Sequence, residues 1–108
     1  MVTIKRDRYI AFQILSKADN IEEAKLKSIV WTTYKTLYGI SESSGSGLFF
    51  EDYDIVKKQG IMRCNHKALS QILTVLTVLT RIDEDEVLIH TINVSGTINK
   101  AKQSLITK

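Results

Sequence analysis

Hydrophobic and polar residues alternate along the first stretch of the chain in the manner of a β-strand. Over residues 8–15, Ile10, Phe12 and Ile14 fall on one face, while Tyr9 and Gln13 fall on the other. The pattern predicts a strand that is largely buried on one side.

The next segment has the spacing of a helix. Asn-Ile-Glu-Glu at residues 20–23 is typical of a helix start with Asn20 as the N-cap, and Gly39 suits the position just past a helix end. We therefore predict a helix over residues 21–38. Three aromatic residues widen its apolar surface beyond what one sheet face requires, which indicates contact with another protein. They are Trp31, Tyr34 and Tyr38.

The middle of the chain predicts a hairpin and a second helix. Residues 48–54 and 60–66 indicate two strands, preceded by a Ser- and Gly-rich segment at 41–47 whose composition is typical of a flexible loop. Residues 67–81 are rich in β-branched side chains, but their apolar positions recur at helical spacing. Val75 and Val78 broaden the apolar arc of this helix, so they are candidates for a partner contact; burial within the fold is the alternative.

The last predicted strand spans residues 86–94, after an acidic turn at 83–85, and Ser95-Gly96-Thr97 leads from it into a short C-terminal helix. The order β-α-β-β-α-β predicts an α+β fold, the ferredoxin-like or RRM-like split sandwich with an antiparallel sheet and two helices on one face. Enzymes, metal carriers and RNA binders share this fold, so it leaves function open.

Composition limits the class of protein. A chain of 108 residues with 44% hydrophobic and 25% charged residues fits a single folded domain over 1–108. The one cysteine, Cys64, excludes an intrachain disulfide and favours a reducing compartment. The first residues become charged before a secretory leader could form, and no apolar run has the length of a membrane span. We expect a soluble, cytoplasmic protein without membrane contact.

The net charge of +3 is mild but unevenly distributed. Residues 55–82 contain five cations and no acid, and residues 87–108 contain three lysines and no acid, while a basic lead-in precedes the first strand within residues 1–7. This layout predicts a polyanionic partner. An ordinary solvated surface with clustered charges is the alternative.

Candidate catalytic groups are few. Cys64 and His66 lie two apart on a predicted strand and could pair as thiolate and base, but no orienting carboxylate accompanies them, and a core cysteine is the commoner arrangement. The acids at 51–54 or 83–86 could bind Mg²⁺, yet consecutive carboxylates in a turn usually point apart into water. We therefore predict no active site, metal site or cofactor in this chain.

The turn at Ser95-Gly96-Thr97 has the chemistry of an anion site. A strand that feeds a helix through these residues presents free N–H groups and a hydroxyl at a positively polarised helix N-terminus, although Ser95 or Thr97 could equally serve as an ordinary N-cap. Base stacking of the usual RRM kind is not expected, because the predicted third strand has no aromatic residue. The predicted contacts are therefore to RNA phosphates. The candidate residues are Lys5, Arg6, Arg8, Arg63, Lys67, Ser95, Gly96, Thr97, Lys100 and Lys102.

Three short motifs together resemble a known family. The sequences RYIAF at 8–12, GIMRC at 60–64 and VSGTI at 94–98 occur in the order and spacing of archaeal ribonuclease P protein component 2, which is related to a subunit of eukaryotic RNase P and RNase MRP. The resemblance covers residues 8–102. It assigns Arg8, Arg63, Ser95, Gly96, Thr97 and Lys100 to the family motifs, whereas Asn99 stands where relatives often carry a further lysine.

The resemblance implies a subunit of a ribonucleoprotein that removes 5′ leaders from precursor tRNA. The RNA would be the catalyst and would hold the Mg²⁺, and the protein would bind the catalytic RNA, component 3 and other protein subunits, with two copies of each in a heterotetramer that contains a homodimer of this chain. Precursor tRNA would be contacted indirectly. The alternative is an RNA-independent interaction or ligand-sensing module of ferredoxin-like fold.

Overall fold

The computed structural model describes residues 7–106, so Lys5, Arg6 and most of the basic lead-in lie outside the described residues. The elements alternate in the predicted order, with one small hairpin added before the last strand. They are β1 (Asp7–Leu15), α1 (Glu23–Ser44), β2 (Phe49–Asp54), β3 (Gln59–Asn65), α2 (Leu69–Val78), β4 (Arg81–Ile82), β5 (Asp85–Glu86), β6 (Leu88–Ser95) and α3 (Ile98–Ile106).

Four strands form an antiparallel sheet in the order β2-β3-β1-β6. The first strand therefore lies inside the sheet between β3 and the last strand, as the split arrangement requires. This topology confirms the predicted ferredoxin-like fold with a short C-terminal helix. The acidic segment predicted as a plain turn forms the separate β4–β5 hairpin.

The main core lies between one face of the sheet and the helices α1 and α2. The inward residues of β1, Ile10, Phe12 and Ile14, are fully or almost fully buried there, as their alternation predicted. Helix α2 contributes Ile72 and Leu76 to the same core. These side chains exclude water from the space between the two layers, which is the main stabilising contribution in a domain of this size.

Helix α3 covers the opposite face of the sheet. Its Ala101 is fully buried against Ala11 of β1 and Ile61 of β3, and Tyr9, Ile92 and Leu105 pack around them. The sheet is thus covered on both sides at its centre. This arrangement explains why Ala11, on the face of β1 away from the main core, is also completely buried.

A β-bulge in β2 keeps two aromatic residues on the core side. The pairing with β3 shifts between Phe50 and Asp52, so Glu51 is the extra residue. Because of this shift, Phe50 and Tyr53 both face the main core although they are three residues apart. The Tyr53 ring stacks on Phe12, with ring centroids 6.4 Å apart, and its hydroxyl donates a hydrogen bond to the Ile21 carbonyl at 2.6 Å.

The predicted start of α1 was wrong by two residues. The helix begins at Glu23, and the residue before it, Glu22, makes no side-chain cap bond, so Asn20 is not the N-cap. The backbone of Ile21 is held outside the helix by Tyr53, and its side chain is buried in the core. Gly39 does interrupt the helix, with φ of 91°, but a further helical segment follows it to Ser44.

The segment 41–47, predicted as a flexible loop, is therefore helical over its first residues and bonded to the rest of the fold. Ser43 and Ser46 are buried, and the Ser46 hydroxyl donates to the Ser43 carbonyl at 2.7 Å. The Asn65 amide nitrogen Nδ2 donates to the Gly45 carbonyl at 2.8 Å, and the Asn65 backbone N–H donates to the Ser46 carbonyl at 2.9 Å. Composition misled the prediction because these serines bond to the backbone.

Candidate nucleic-acid interface

The turn from β6 into α3 is closed by its own hydroxyl groups. The Lys100 backbone N–H donates to Thr97 Oγ1 at 3.3 Å, and the Ser95 hydroxyl donates to the Thr97 carbonyl at 2.8 Å. Thr97 therefore caps the helix, which was the alternative stated for this motif. Gly96, Thr97 and the side chain of Lys100 remain exposed, so the turn still presents a helix N-terminus and a cation to solvent.

Arg8 lies beside this turn. A methyl group placed on Gly96 would be 3.8 Å from Arg8 Nη1, which shows how closely the guanidinium approaches the turn. The same nitrogen donates to the carbonyl of Asp7 at 3.0 Å. The RYIAF and VSGTI motifs, far apart in sequence, thus meet at one end of the sheet because β1 and β6 are paired strands.

A row of four residues crosses the whole sheet at this end. Phe49 of β2 pairs with Arg63 of β3, Arg63 pairs with Tyr9 of β1, and Tyr9 pairs with Ser95 of β6. With neighbouring strands about 4.8 Å apart, the row is about 15 Å long. We call Phe49, Arg63, Tyr9 and Ser95 the cross-sheet row; they lie on the α3 side of the sheet, beyond the part that α3 buries.

Arg63 is held in place within this row. Its Nη1 lies 3.3 Å from a carboxylate oxygen of Glu51, the bulge residue, and its guanidinium carbon lies 5.1 Å from the centre of the Phe49 ring. The second contact is a cation–π interaction. The Phe49 residue is 52% exposed, so much of its ring remains accessible to a ligand.

Lys67 lies at the same end, just after β3. It is exposed and lines a polar recess of about 200 Å³ together with Glu42, Gly45 and Asn65. We call the end of the sheet that carries Arg8, Arg63, Lys67 and Lys100 the basic end. The acids close to these cations are Asp7, Glu51 and Glu42, of which Glu51 is paired with Arg63.

Lys102 does not belong to the basic end. It lines a different recess, of about 280 Å³, near the turn of the β2–β3 hairpin, where Asp52 and Asp54 supply negative charge and Lys57 a second cation. Lys100 and Lys102 are two positions apart on a helix, so their side chains leave the axis in nearly opposite directions. The two acids make a phosphate contact less favourable for Lys102 than for Lys100, and a role of Lys102 in RNA binding stays a prediction.

Two of the five predicted partner-interface residues are not at the surface. Tyr34 and Val75 are completely buried, and the Tyr34 hydroxyl donates to Gln71 Oε1 of α2 at 2.7 Å. Their apolar character serves the packing of α1 against α2. Trp31 and Tyr38 are partly exposed and Val78 is 52% exposed, so these three remain candidates.

The candidate catalytic residues Cys64 and His66 lie in different environments. Burial raises the pKa of the Cys64 thiol to about 11, so it is protonated at neutral pH, and His66, two residues on, is exposed. Within residues 7–106 there is no group of three or more His, Cys, Asp or Glu side chains placed to hold a metal ion. In the same part of the chain, no helix combines the length and hydropathy that crossing a bilayer requires.

Sequence reasoning missed Phe49, Tyr9 and Glu51 as parts of this surface. A signal was present, because two consecutive phenylalanines in a strand must point to opposite faces, and only one of them can enter the main core. The alternation of hydrophobic and polar residues could not predict the bulge that directs Glu51 toward Arg63.

Comparison with known proteins finds relatives that match nearly the whole chain. It is 34% identical to ribonuclease P protein component 2 of Archaeoglobus fulgidus, covering 94% of this chain and 89% of the relative, and 30% identical to that of Methanothermobacter thermautotrophicus, covering 92% and 84%. A chain in the structure of yeast ribonuclease MRP has the same fold, with a TM-score of 0.71 and 16% identity over 99% of this chain and 91% of that one. The model of the Rpp14/Pop5 family matches residues 8–106, and the chain therefore belongs to that family.

Proposed function

We propose that this chain is a protein subunit of ribonuclease P in the cytoplasm, and that it supports a catalytic RNA in the removal of 5′ leaders from precursor tRNA. The observation that carries the proposal is the near full-length match to the Rpp14/Pop5 family and to relatives named ribonuclease P protein component 2. The basic end gives this membership a physical site, because it joins side chains from all three motifs of the resemblance.

The chain acts by binding and positioning RNA. Hydrolysis by metal ions on RNA crowds negative charge into a small volume, and cations supplied by a protein favour the compact RNA fold at lower Mg²⁺ concentration. Arg8, Lys67 and Lys100 would contact phosphates, and the N-terminus of α3 adds a partial positive charge. The chemistry and the Mg²⁺ belong to the RNA in this proposal.

Other protein subunits would bind on the outer surface of α1 and α2. The exposed apolar side chains there include Val78 of α2 and, on α1, Leu37 and Ile40, which are 44% and 73% exposed. Trp31 and Tyr38 add partly exposed aromatic surface. A protein of the component 3 class is the expected partner, and Val78→Glu should block co-elution with it while the isolated chain stays folded.

Reconstitution tests the proposed function directly. This chain, with and without component 3, is added to the cognate catalytic RNA, and leader removal is measured at limiting Mg²⁺. We expect an increased rate at a Mg²⁺ concentration where RNA alone is slow. The absence of stimulation, together with the absence of salt-sensitive RNA binding, would favour the RNA-independent module.

The two lysines of α3 provide a matched pair for the binding assay. Lys100→Ala should flatten the slope of log K against log salt by about one unit, because one phosphate contact contributes about that much. Lys102→Ala should leave the slope unchanged, since this lysine lies among Asp52 and Asp54. Equal effects of the two substitutions would contradict the placement of the RNA surface at the basic end.

A further inference from the structure

The cross-sheet row has a feature that phosphate binding does not use. It contains two aromatic rings and a guanidinium in register on adjacent strands, in the order Phe49, Arg63, Tyr9. Phosphate contacts need positive charge or N–H donors, and an exposed phenylalanine supplies neither. Phe49 is nevertheless 52% exposed at the start of an edge strand.

The geometry points to a stacking platform for an unpaired RNA base at Phe49 and Arg63. Aromatic rings and guanidinium planes are the two protein surfaces on which nucleobases stack. Here the two are neighbours, 5.1 Å apart from guanidinium carbon to ring centre. This inference rests on the proposed function and specifies that the RNA offers a single-stranded or extruded nucleotide at this point, in addition to a phosphate backbone.

Arg63, the guanidinium member of the platform, is held in place before any RNA arrives. Glu51 holds the Arg63 guanidinium at 3.3 Å, and only 20% of the Glu51 side chain is exposed. Tyr9, on the other side of Arg63, is packed against the residues buried under α3. A platform that is already ordered loses little conformational entropy when a base stacks on it, which favours binding.

The surroundings favour a nucleic acid over a protein ligand. Lys67 lies two residues after the end of β3, the strand of Arg63, and Arg8 is adjacent to Tyr9 in β1, so cations lie close to the row at both strands. A base stacked on Phe49 would place its flanking phosphates within the field of these cations, as in single-strand binding grooves. The acids at this end are Asp7, Glu42 and Glu51, and the last is already paired with Arg63.

The platform lies at a different place in the sheet from the base-stacking residues of an ordinary RRM. That module stacks bases on aromatic residues of its first and third strands. In this chain α3 covers the middle of the sheet over Ala11 and Ile61, whereas Phe49, at the end of the sheet, is exposed. The available ring is contributed by β2, at the edge beside β3.

Binding of the cognate catalytic RNA to four forms of the full chain tests the platform: wild type, Phe49→Ala, Phe49→Trp and the control Leu88→Ala. Leu88 is 54% exposed on the other edge strand, at the opposite end of the sheet. Phe49→Ala should weaken binding about 5- to 150-fold, the range for loss of one stacked base, without changing the salt slope. Phe49→Trp should bind as well as wild type, and Leu88→Ala should have no effect.

The outcomes separate this inference from the proposed function. Wild-type affinity in Phe49→Ala, with normal stimulation of leader removal, overturns the platform and leaves the proposed function standing. If Phe49→Ala instead loses only its association with component 3, Phe49 is a protein contact and the inference is wrong. If the wild-type chain itself neither binds the RNA nor stimulates cleavage, the proposed function fails. Circular dichroism checks that Phe49→Ala is folded. An unlabelled oligoadenylate should displace the catalytic RNA from the wild-type chain better than a duplex of equal length does.

Discussion

The substitution Gly60→Ala, in β3, tests how tightly the centre of the fold is packed. A methyl group at this position would lie 2.6 Å from the Asp52 carbonyl oxygen and 2.7 Å from Cζ of Phe12, whereas ordinary van der Waals contact begins near 3.4 Å. Neither neighbour is free to move. Asp52 is part of the sheet beside the bulge, and the fully buried Phe12 ring stacks on Tyr53. Gly60→Ala must therefore displace a strand or the ring.

The expected cost follows from these two contacts. Overpacking of a buried site costs about 1–3 kcal/mol, and replacing glycine by alanine returns about 0.4–1 kcal/mol by restricting the unfolded chain. The net fall in the free energy of unfolding should be about 1–2 kcal/mol. With a urea dependence of about 1–3 kcal/mol per molar, the unfolding midpoint should fall by about 1 M.

The assay is urea unfolding of the isolated chain, followed by the fluorescence of Trp31. Gly96→Ala is the control, because a methyl group there would meet only Arg8 Nη1 at 3.8 Å. That variant should be unchanged or slightly more stable, so the two substitutions differ in sign. A Gly60→Ala midpoint at or above the wild-type value would refute the packing argument.

Three further predictions concern buried groups. Val75→Glu should lower the free energy of unfolding by about 4 kcal/mol, because the carboxylate would be buried without a partner. Val78→Glu, at an exposed position, should change the free energy of unfolding by less than about 0.5 kcal/mol. Equal urea midpoints for the two variants would contradict the assigned burial. Tyr34→Phe removes the hydrogen bond to Gln71 and should cost about 1 kcal/mol in the same assay, and an unchanged midpoint would show that this bond contributes nothing. Burial raises the pKa of the Cys64 thiol from 9.0 to about 11, so the folded state retains a proton that the unfolded state releases. The free energy of unfolding should therefore decline as pH rises from about 9 to 11. Cys64→Ala should lack this part of the decline, and an identical pH profile for the variant and the wild type would contradict the prediction.

Periodicity was enough to predict the order of elements, because the alternation of Ile10, Phe12 and Ile14 and the helical spacing of α2 reflect real burial. It was not enough where two positions share a pattern and differ in environment. Val75 and Val78 both extend the apolar arc of α2, but only Val75 meets the core. Similarly, no local pattern predicts the bulge at Glu51, since bulges depend on the register between two strands.

The sequence predicted which residues form the candidate site better than it predicted where they lie in the fold. The sequence identified Arg8, Arg63, Lys67 and Lys100, which the fold brings to one end of the sheet. It could not place α3 on the second face, because a helix that follows the last strand can pack on either side. The separation of Lys102 from the basic end follows from that placement, although helical periodicity already indicated that it points away from Lys100.

The strand order β2-β3-β1-β6 has a consequence for the way the chain folds. The pairing of β1 with β6 joins Tyr9 to Ser95, and therefore nearly the whole described chain must be organised before the sheet is complete. Contacts between residues so distant in sequence slow folding, because the loop must close before the pairing stabilises it. Until β6 has been synthesised, β1 has an unpaired edge. During synthesis, that edge is open to pairing with a strand of another chain until β6 covers it.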